Sequence, residues 1–469
     1  MFHRQEATLD ALKKGEIEDL RVGFKWMVDR VVGFGLDEGI LAPGFAAFPD
    51  PRRSSEVPIS ALLLPQILQR LNDEHSLLLA PYLLNDAALV AKLGFNARIL
   101  KEGFNERNKK PRKAPFHGET LKQLLLQCRA QKLISWFNRD WLAVWRTHAP
   151  GRTRQYILDG MKIPVPAHLA SKYQSVGCVR GDDDELAYGY KAVWLQEIVD
   201  RKGVIVALTI VPIQVHDLEA AKPLLEGFPF EENSSVIMDR GFIDSQWITE
   251  LKERRGVSVF LPLRRNMAVT EYAVSLADNR NCWRPHPRRG GQQIAEFTTN
   301  DGTLHWPECP VVKHGILVRF TKNDGTDDEI LFVTSKDESN GKEILATYDQ
   351  RAEIEESHRQ MKLNQGIETL PSKKFTSVVF RILMGVLGFN LLNLFLNSEH
   401  CDTFEEFSLK TMRQKRVEEN NPEVIVYTRK TFAVIRFFRL LPIILALDRK
   451  IQDKLSALFQ KLDPNPAPA

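Results

Sequence analysis

Two rhythms of apolar and polar positions run along this chain, and they meet at Gly151. Before it the spacing is helical. Residues 5–34 read as helix, a stretch punctuated by Pro43, Pro49, Pro51 and Pro58 cannot be one element, and 59–93 reads as short helices broken at Pro65 and Pro81. Another helix begins near Glu119, so the first third is expected to be all-helical. After Gly151, β-branched and aromatic runs take over. Residues 154–165 (RQYILDGMKIPV) predict a strand carrying Asp159 near its end, with Gly160 in a turn position. Residues 186–199 and 203–212 predict two more strands. A helix then opens on Asp217 as its cap, and 234–242 (SSVIMDRGF) predicts a short buried strand ending in Asp239. Residues 245–256 read as a helix stopped by Gly256, and 257–263 (VSVFLPL) as a fifth strand. The resulting order is β-β-β-α-β-α-β.

Residues 264–340 carry strand-like pieces at 293–299, 314–321 and 329–335, and they read as a separate β-rich insertion because structureless loops of such length are rare. A helix over 341–362 follows, then a buried apolar helix over 375–397. The region 398–469 reads as a charged stretch (409–421), an apolar–basic helix around TFAVIRFFRLL and a disordered tail, DPNPAPA.

The helix over 341–362 holds the most chemistry. Tyr348, Arg351, Glu355 and Lys362 follow the spacing Y-x2-R-x3-E-x6-K. At about 100° per residue they fall near 0°, 300°, 340° and 320°, one narrow stripe. A carboxylate among cations and a phenol suits metal-dependent chemistry on a phosphodiester. The same charges would equally suit a solvated face held by ion pairs one turn apart.

Composition adds less than distribution. The 469 residues suffice for two to four domains, with the 43% hydrophobic and 26% charged content of an ordinary globular chain and a net charge of only +4. Between Lys92 and Arg154, however, fifteen Lys/Arg face four Asp/Glu. That block suits a polyanion such as DNA, or a pair of solvated helices. Five scattered cysteines without a C-x-x-C pair argue against a disulfide framework. Cys282, His286, His305 and Cys309 form a mirrored set with zinc-like spacing, a pattern that also arises by chance around a strand pair. The charged N-terminus shows no signal peptide, and the run Val378–Leu396 contains Arg381, Asn390 and Asn393, so a cytoplasmic protein without a membrane span is expected.

In a ribonuclease-H-like β-β-β-α-β core, strands one and four are neighbours, so Asp159 and Asp239 would meet, with Glu355 arriving on a late helix. Three such carboxylates would hold two divalent ions about 3.5–4 Å apart, and hard oxygen donors favour Mg²⁺ or Mn²⁺. With LDG around Asp159, DRGF after Asp239, GYK (Gly189–Lys191), VHD (Val215–Asp217) and the helix signature, residues 150–397 resemble DDE transposases of the insertion-sequence-four type. The 116-residue separation of Asp239 and Glu355 is consistent with that group, whose members carry a β-rich insertion there.

The resemblance implies an α/β catalytic core (151–263 and 341–397) with a ribonuclease-H-like mixed sheet flanked by helices and interrupted by the insertion (264–340); the helical, basic stretch before it (1–150) reads from its own residues as a DNA-binding domain. It implies Asp159, Asp239 and Glu355 as catalytic residues and ligands of two Mg²⁺ (or Mn²⁺) ions. One ion would activate water against the phosphodiester at the element end and the other would stabilise the leaving 3′ oxygen; the freed 3′-OH would then attack target DNA. Tyr348, Arg351 and Lys362 would grip phosphates, with His358 and Arg359 close to the same stripe. Trp283 and Trp306 are candidates for stacking on a flipped base, or are core residues of the insertion. Double-stranded DNA and a second protomer are the implied partners, with 398–469 as the dimerisation region. Structural roles remain open beside these: Asp159 as a turn cap, Asp239 paired to Arg240 or Arg254, the acidic run 182–185 as a solvated loop, and His216–Asp217 as a helix cap. A catalytically inactive DNA-binding descendant, or a nuclease that cleaves without joining, are the rival readings.

Overall fold

The computed structural model describes residues 2–23, 31–53, 55–71, 80–84, 87–104, 114–148, 154–181, 184–199, 202–322, 324–370, 372–398 and 423–460. The chain forms two compact units, one of Ile134–Arg359 with Lys373–Phe375, the other of Met1–Leu133, Gln360–Ser372 and Thr376–Ala469.

The unit beginning at Ile134 is built on one mixed sheet. Its first strands are β1 (Gln155–Val165), β2 (Leu186–Glu197) and β3 (Val204–Pro212), an antiparallel meander. Helix α1 (Asp217–Gly227) leads to β4 (Ser235–Met238), and α2 (Ser245–Arg255) leads to β5 (Ser258–Pro262). Strand β4 lies parallel to β1 and β5 parallel to β4, so the spatial order is β3-β2-β1-β4-β5, the ribonuclease-H-like arrangement. Every residue of β4 and β5 is buried, as expected of parallel strands covered on both faces. At the β3 edge, Asn138 answers both backbone groups of Leu208, each at 2.9 Å, occupying polar groups that an open edge would expose.

The segment 264–340 departs from expectation. Its strands β6 (Gln293–Thr298), β7 (His314–Thr321) and β8 (Asp327–Thr334) extend the core sheet, because β8 pairs antiparallel with β5 through Phe332↔Pro262 to Thr334↔Phe260. The segment is not purely β either. Helix α3 (Ala268–Arg280) precedes these strands, in a stretch whose mixed composition gave no clear period.

The other unit corrects two helical readings. The helix from residue 5 ends at Lys13, and Asp19–Gly23 is a strand. That strand pairs with Glu423–Tyr427, which pairs in turn with Thr431–Arg436, so TFAVIR is strand and only Phe437–Leu445 is helix. Leu12, Ile17, Leu20, Val424, Val426, Ala433, Ile435, Leu440 and Leu455 form one apolar core around these strands. Local helical periodicity was overridden by pairing between the chain's two ends. Pro65 likewise does not break its helix, which runs Ile59–Leu71 and is buried from Ala61 onward. Helix Phe375–Asn397 is long and apolar enough to cross a membrane, but its apolar window is wholly buried in the fold. The basic stretch 105–113, the aspartates Asp182 and Asp183, the charged segment 409–421 and the tail lie outside the described residues.

Candidate active site

Strands β1 and β4 are paired in register from Gln155↔Ser235 to Leu158↔Met238. The next residue on each is an aspartate, Asp159 and Asp239. Here the strands part company. β1 continues against β2 as far as Val165, whereas β4 ends and the chain turns through Arg240–Phe242. Asp159 thus lies mid-strand, not near a strand end, and register rather than strand length sets its position. The crevice beyond the carboxyl end of a parallel pair is the usual binding place of an open α/β sheet. Each aspartate accepts a bond on Oδ1 from the following backbone N–H, Gly160 at 2.8 Å and Arg240 at 2.6 Å. Each Oδ2 then faces Arg351.

The helix expected over 341–362 is two helices, α4 (Gly341–Asp349) and α5 (Ala352–Asn364). Between them run tight i to i+3 bonds from Gln350, Arg351, Glu353 and Ile354, so the single stripe is broken at Arg351. No Gly or Pro marks this joint. Its effect is to aim Arg351 at the sheet. One Nη2 touches Asp159 Oδ2 at 3.2 Å and Asp239 Oδ2 at 3.4 Å, while Nη1 touches Glu355 Oε1 at 2.7 Å. All three predicted carboxylates therefore converge on one planar cation.

Three carboxylates against one guanidinium leave two formal negative charges. Burial pushes Asp159 up to about 6, with Arg351 and the Gly160 bond opposing and Asp239 and Asp217 adding to the rise. Burial also pushes Tyr348 up to about 12, keeping its phenol neutral beside this cluster, and its ring packs against Phe332. Arg351 is held above its ordinary value because the attraction of the carboxylates and Tyr348 outweighs burial. The all-oxygen donor set and the negative surplus fit a hard divalent cation. In the arrangement described, no three His, Cys, Asp or Glu side chains among the described residues close on a common metal position. The carboxylates close on Arg351 instead.

Behind the site, Lys191 of GYK pairs with Asp217 of VHD at 3.0 Å and donates to the Val215 carbonyl at 2.8 Å. His216 caps α1 by accepting from the Leu218 N–H, so the cap is the histidine rather than Asp217. Asp217 lies under Gly160, where an added Cβ would sit 2.5 Å from its Oδ1. Sequence reasoning passed over this link, although the three short motifs that carried the resemblance contain all its parts. It also passed over Arg264, and read Arg240 only as a possible partner of Asp239. Both are exposed, neither guanidinium has a partner among the described residues, and they line a cleft of about 530 Å³ with Asp239, Gly241, Arg265 and Asn266. Arg265 is paired to Asp328 and Glu329.

The remaining candidates are scattered. Lys362 pairs with Glu368 at 3.2 Å, and Arg359 pairs with Glu356 at 2.6 Å. His358 packs on Trp194, ring centroids 4.9 Å apart. Trp306 is 8% exposed, which makes it a core residue without an open face for stacking. Trp283 is half-buried, bonded through Nε1 to Asp278 and covered on its ring by Arg319 at 4.0 Å. The zinc-like set does not gather: Cys309 is buried against the Ser245 carbonyl, and His286 accepts the Arg288 and Arg289 backbone N–H groups. Asp184, at the described end of the acidic run, pairs with Arg180.

A family defined as the transposase DDE domain matches residues 150–391, more than half of the chain. The chain belongs to this family. The matched span of the transposase contains Asp159, Asp239, Glu355, Tyr348, Arg351 and Lys362. Among solved structures, the piggyBac transposase synaptic complex with hairpin DNA is similar at a TM-score of 0.40 and 10% identity, covering 98% of this chain and 86% of that one. No curated protein sequence matches the transposase.

Proposed function

We propose that this transposase, of the insertion-sequence-four type, cleaves the ends of a DNA element and transfers the freed 3′-OH to target DNA, using Asp159, Asp239 and Glu355 as the acidic triad. The observation that carries the reading is the convergence of those three side chains on Arg351. Two divalent ions, Mg²⁺ or Mn²⁺, would supply activation of the attacking oxygen and relief of charge on the leaving oxygen. Asp159 and Asp239, fixed by adjacent backbone N–H groups, would hold the ions from the sheet side, and Glu355 from the helix side. Arg351 and Tyr348 would bind its backbone, with Lys362 next along the helix signature. Arg240 and Arg264 add free cations in the cleft beside Asp239, where a phosphate chain would lie. Little covalent work falls to the protein, so positioning and field carry the rate.

The basic first third, residues 1–150, serves in this reading as the DNA-binding module, and 398–469 as the contact between two protomers that hold two element ends. The protein would act on double-stranded DNA in the cytoplasm. The DNA flanking the gene, searched for inverted repeats, would supply the test substrate. Divalent-ion-dependent nicking at the repeat, lost in Glu355→Ala, is expected, followed by joined products when target DNA is added. Cleavage without joining would make the protein a nuclease. Repeat binding without cleavage would make it a catalytically inactive descendant.

A further inference from the structure

We propose that Arg351 is a built-in occupant of the cation site, so that DNA and divalent ion bind as a coupled pair. The inference rests on the triad reading above and concerns its regulation. Nη2 of Arg351 contacts both Asp159 Oδ2 and Asp239 Oδ2, the oxygens that an ion shared by the two aspartates would also need. The two occupants are incompatible. A guanidinium nitrogen sits 3.2 and 3.4 Å from these oxygens, whereas Mg²⁺ demands bonds of about 2.0–2.1 Å, which would bring the pair within about 4.2 Å of each other. Bridging therefore requires the guanidinium to withdraw and the aspartates to close.

Arg351 cannot vacate by losing its proton, since a guanidinium stays charged. It is 19% exposed and tied to three acids, so leaving for water would give up three charge-assisted contacts for hydration alone. A backbone phosphate offers the exchange: an anion that takes the planar fork in two parallel bonds. Arg351 belongs to the joint between α4 and α5 rather than to either helix, and its long side chain can be re-aimed there without unwinding a turn. Arg240 and Arg264, without a partner among the described residues, would draw a phosphate chain to the cleft that starts at Asp239. Off DNA, an incoming ion must displace a tethered rival. On DNA, the rival is engaged elsewhere. By linkage, the ion must strengthen DNA binding by the same factor that DNA strengthens ion binding.

The test is Mn²⁺ binding, followed by electron paramagnetic resonance or calorimetry, on the full chain with and without a short duplex carrying the element end. Wild type is expected to bind Mn²⁺ weakly alone and at least tenfold more tightly with DNA. Arg351→Gln should bind Mn²⁺ at least tenfold more tightly than wild type without DNA, and should lose most of the DNA enhancement. Asp159→Asn should abolish the site in either background. Equal Mn²⁺ affinity in wild type and Arg351→Gln, both sensitive to Asp159→Asn, would overturn the occupancy of the site by Arg351 and leave the triad standing. No Asp159-dependent binding in any sample, with DNA or without, would instead remove the triad reading itself. Should Arg351→Gln fail to fold, wild type alone decides: an affinity for Mn²⁺ indifferent to DNA overturns the coupling.

Discussion

Gly160→Ala isolates the support behind the site. Gly160 has an ordinary backbone, so alanine there meets no conformational penalty and would by itself stabilise by about 0.4–1 kcal/mol through the unfolded chain. Its new methyl, however, would stand 2.5 Å from Asp217 Oδ1, 3.3 Å from Asp217 Cγ and 3.6 Å from Val193 Cγ2. Asp217 is short and tied to a buried lysine at 3.0 Å, so it cannot swing aside without stretching the Lys191 pair. Overpacking of this kind costs about 1–3 kcal/mol. The expected net is a loss of about 1–2 kcal/mol, or roughly 2–8 °C in the melting of a unit of this size. In an Asp217→Ala background the clash is gone, so Gly160→Ala should become neutral or stabilising, a change of sign that a double-mutant cycle reads directly. Thermal melts of the four proteins, followed by circular dichroism, make the measurement. If Gly160→Ala melts at or above wild type while Asp217 is present, the contact between motifs is not what requires the glycine, and the reasoning fails.

Three other outcomes follow from the same geometry. Burial, and then Glu231, push Glu197 up to about 7, against Arg146. The fold thus holds a proton that the unfolded chain sheds near 4.5, and Glu197's contribution to stability is complete below that pH and lost as pH rises through 7. Glu197→Gln should remove on the order of 1–3 kcal/mol of this pH dependence, seen as a flatter melting profile between pH 5 and 8; an unchanged slope refutes it. Replacing Arg240 and Arg264 by alanine should leave melting unchanged and lower the slope of log affinity for DNA against log salt by about 0.9 per lost phosphate contact, measured by fluorescence anisotropy; an unaltered slope would take DNA out of the cleft. Ser335→Ala strips the buried Val259 N–H of its 2.9 Å acceptor and should cost about 1–3 kcal/mol in urea unfolding, whereas a neutral result would mean that water replaces the hydroxyl.

Much of the unit built on the mixed sheet was legible because its strands are bounded by strong signals. Gly256 in a left-handed cap, the fully buried SVIM and SVFLP, and the β-branched 204–212 all lie within a residue or two of where periodicity put them. The three acids were legible as a set only when the motifs were read together, since register between Leu158 and Met238 is a property of two distant segments. What escaped was non-local. The strand Asp19–Gly23 exists because Glu423–Tyr427 lies beside it, some four hundred residues later, and neither segment announces the other. The joint at Arg351 escaped for a different reason: Tyr-Asp-Gln-Arg is compatible with helix, and the contacts that accompany the turn are with Asp159 and Asp239, far off in the sequence. Burial of Trp306 is a tertiary fact as well, invisible in a segment where any aromatic looks equally exposed.

The long separation between Asp239 and Glu355 ceases to be a difficulty once the sheet is followed. A free loop of that length would charge the fold an entropy of closure each time Glu355 approached the aspartates. Here the chain leaves β5 and comes back along β8, which pairs with β5 itself, and β5 is the parallel neighbour of the strand that carries Asp239. Ser335 extends that pairing by two bonds to Val259, and Asn340 then caps α4 by accepting the Glu343 N–H. From the last paired residue, Thr334, to the start of α4 is only a short connection, so the helix bearing Tyr348 and the joint at Arg351 are anchored to the aspartate strands by a ladder rather than by a tether. The inserted strands β6 and β7 are then carried outward along the sheet, where their length is of no consequence to the site. Closure is thereby local in space though remote in sequence, and it explains how the chain accommodates a large insertion between two acids that both reach Arg351.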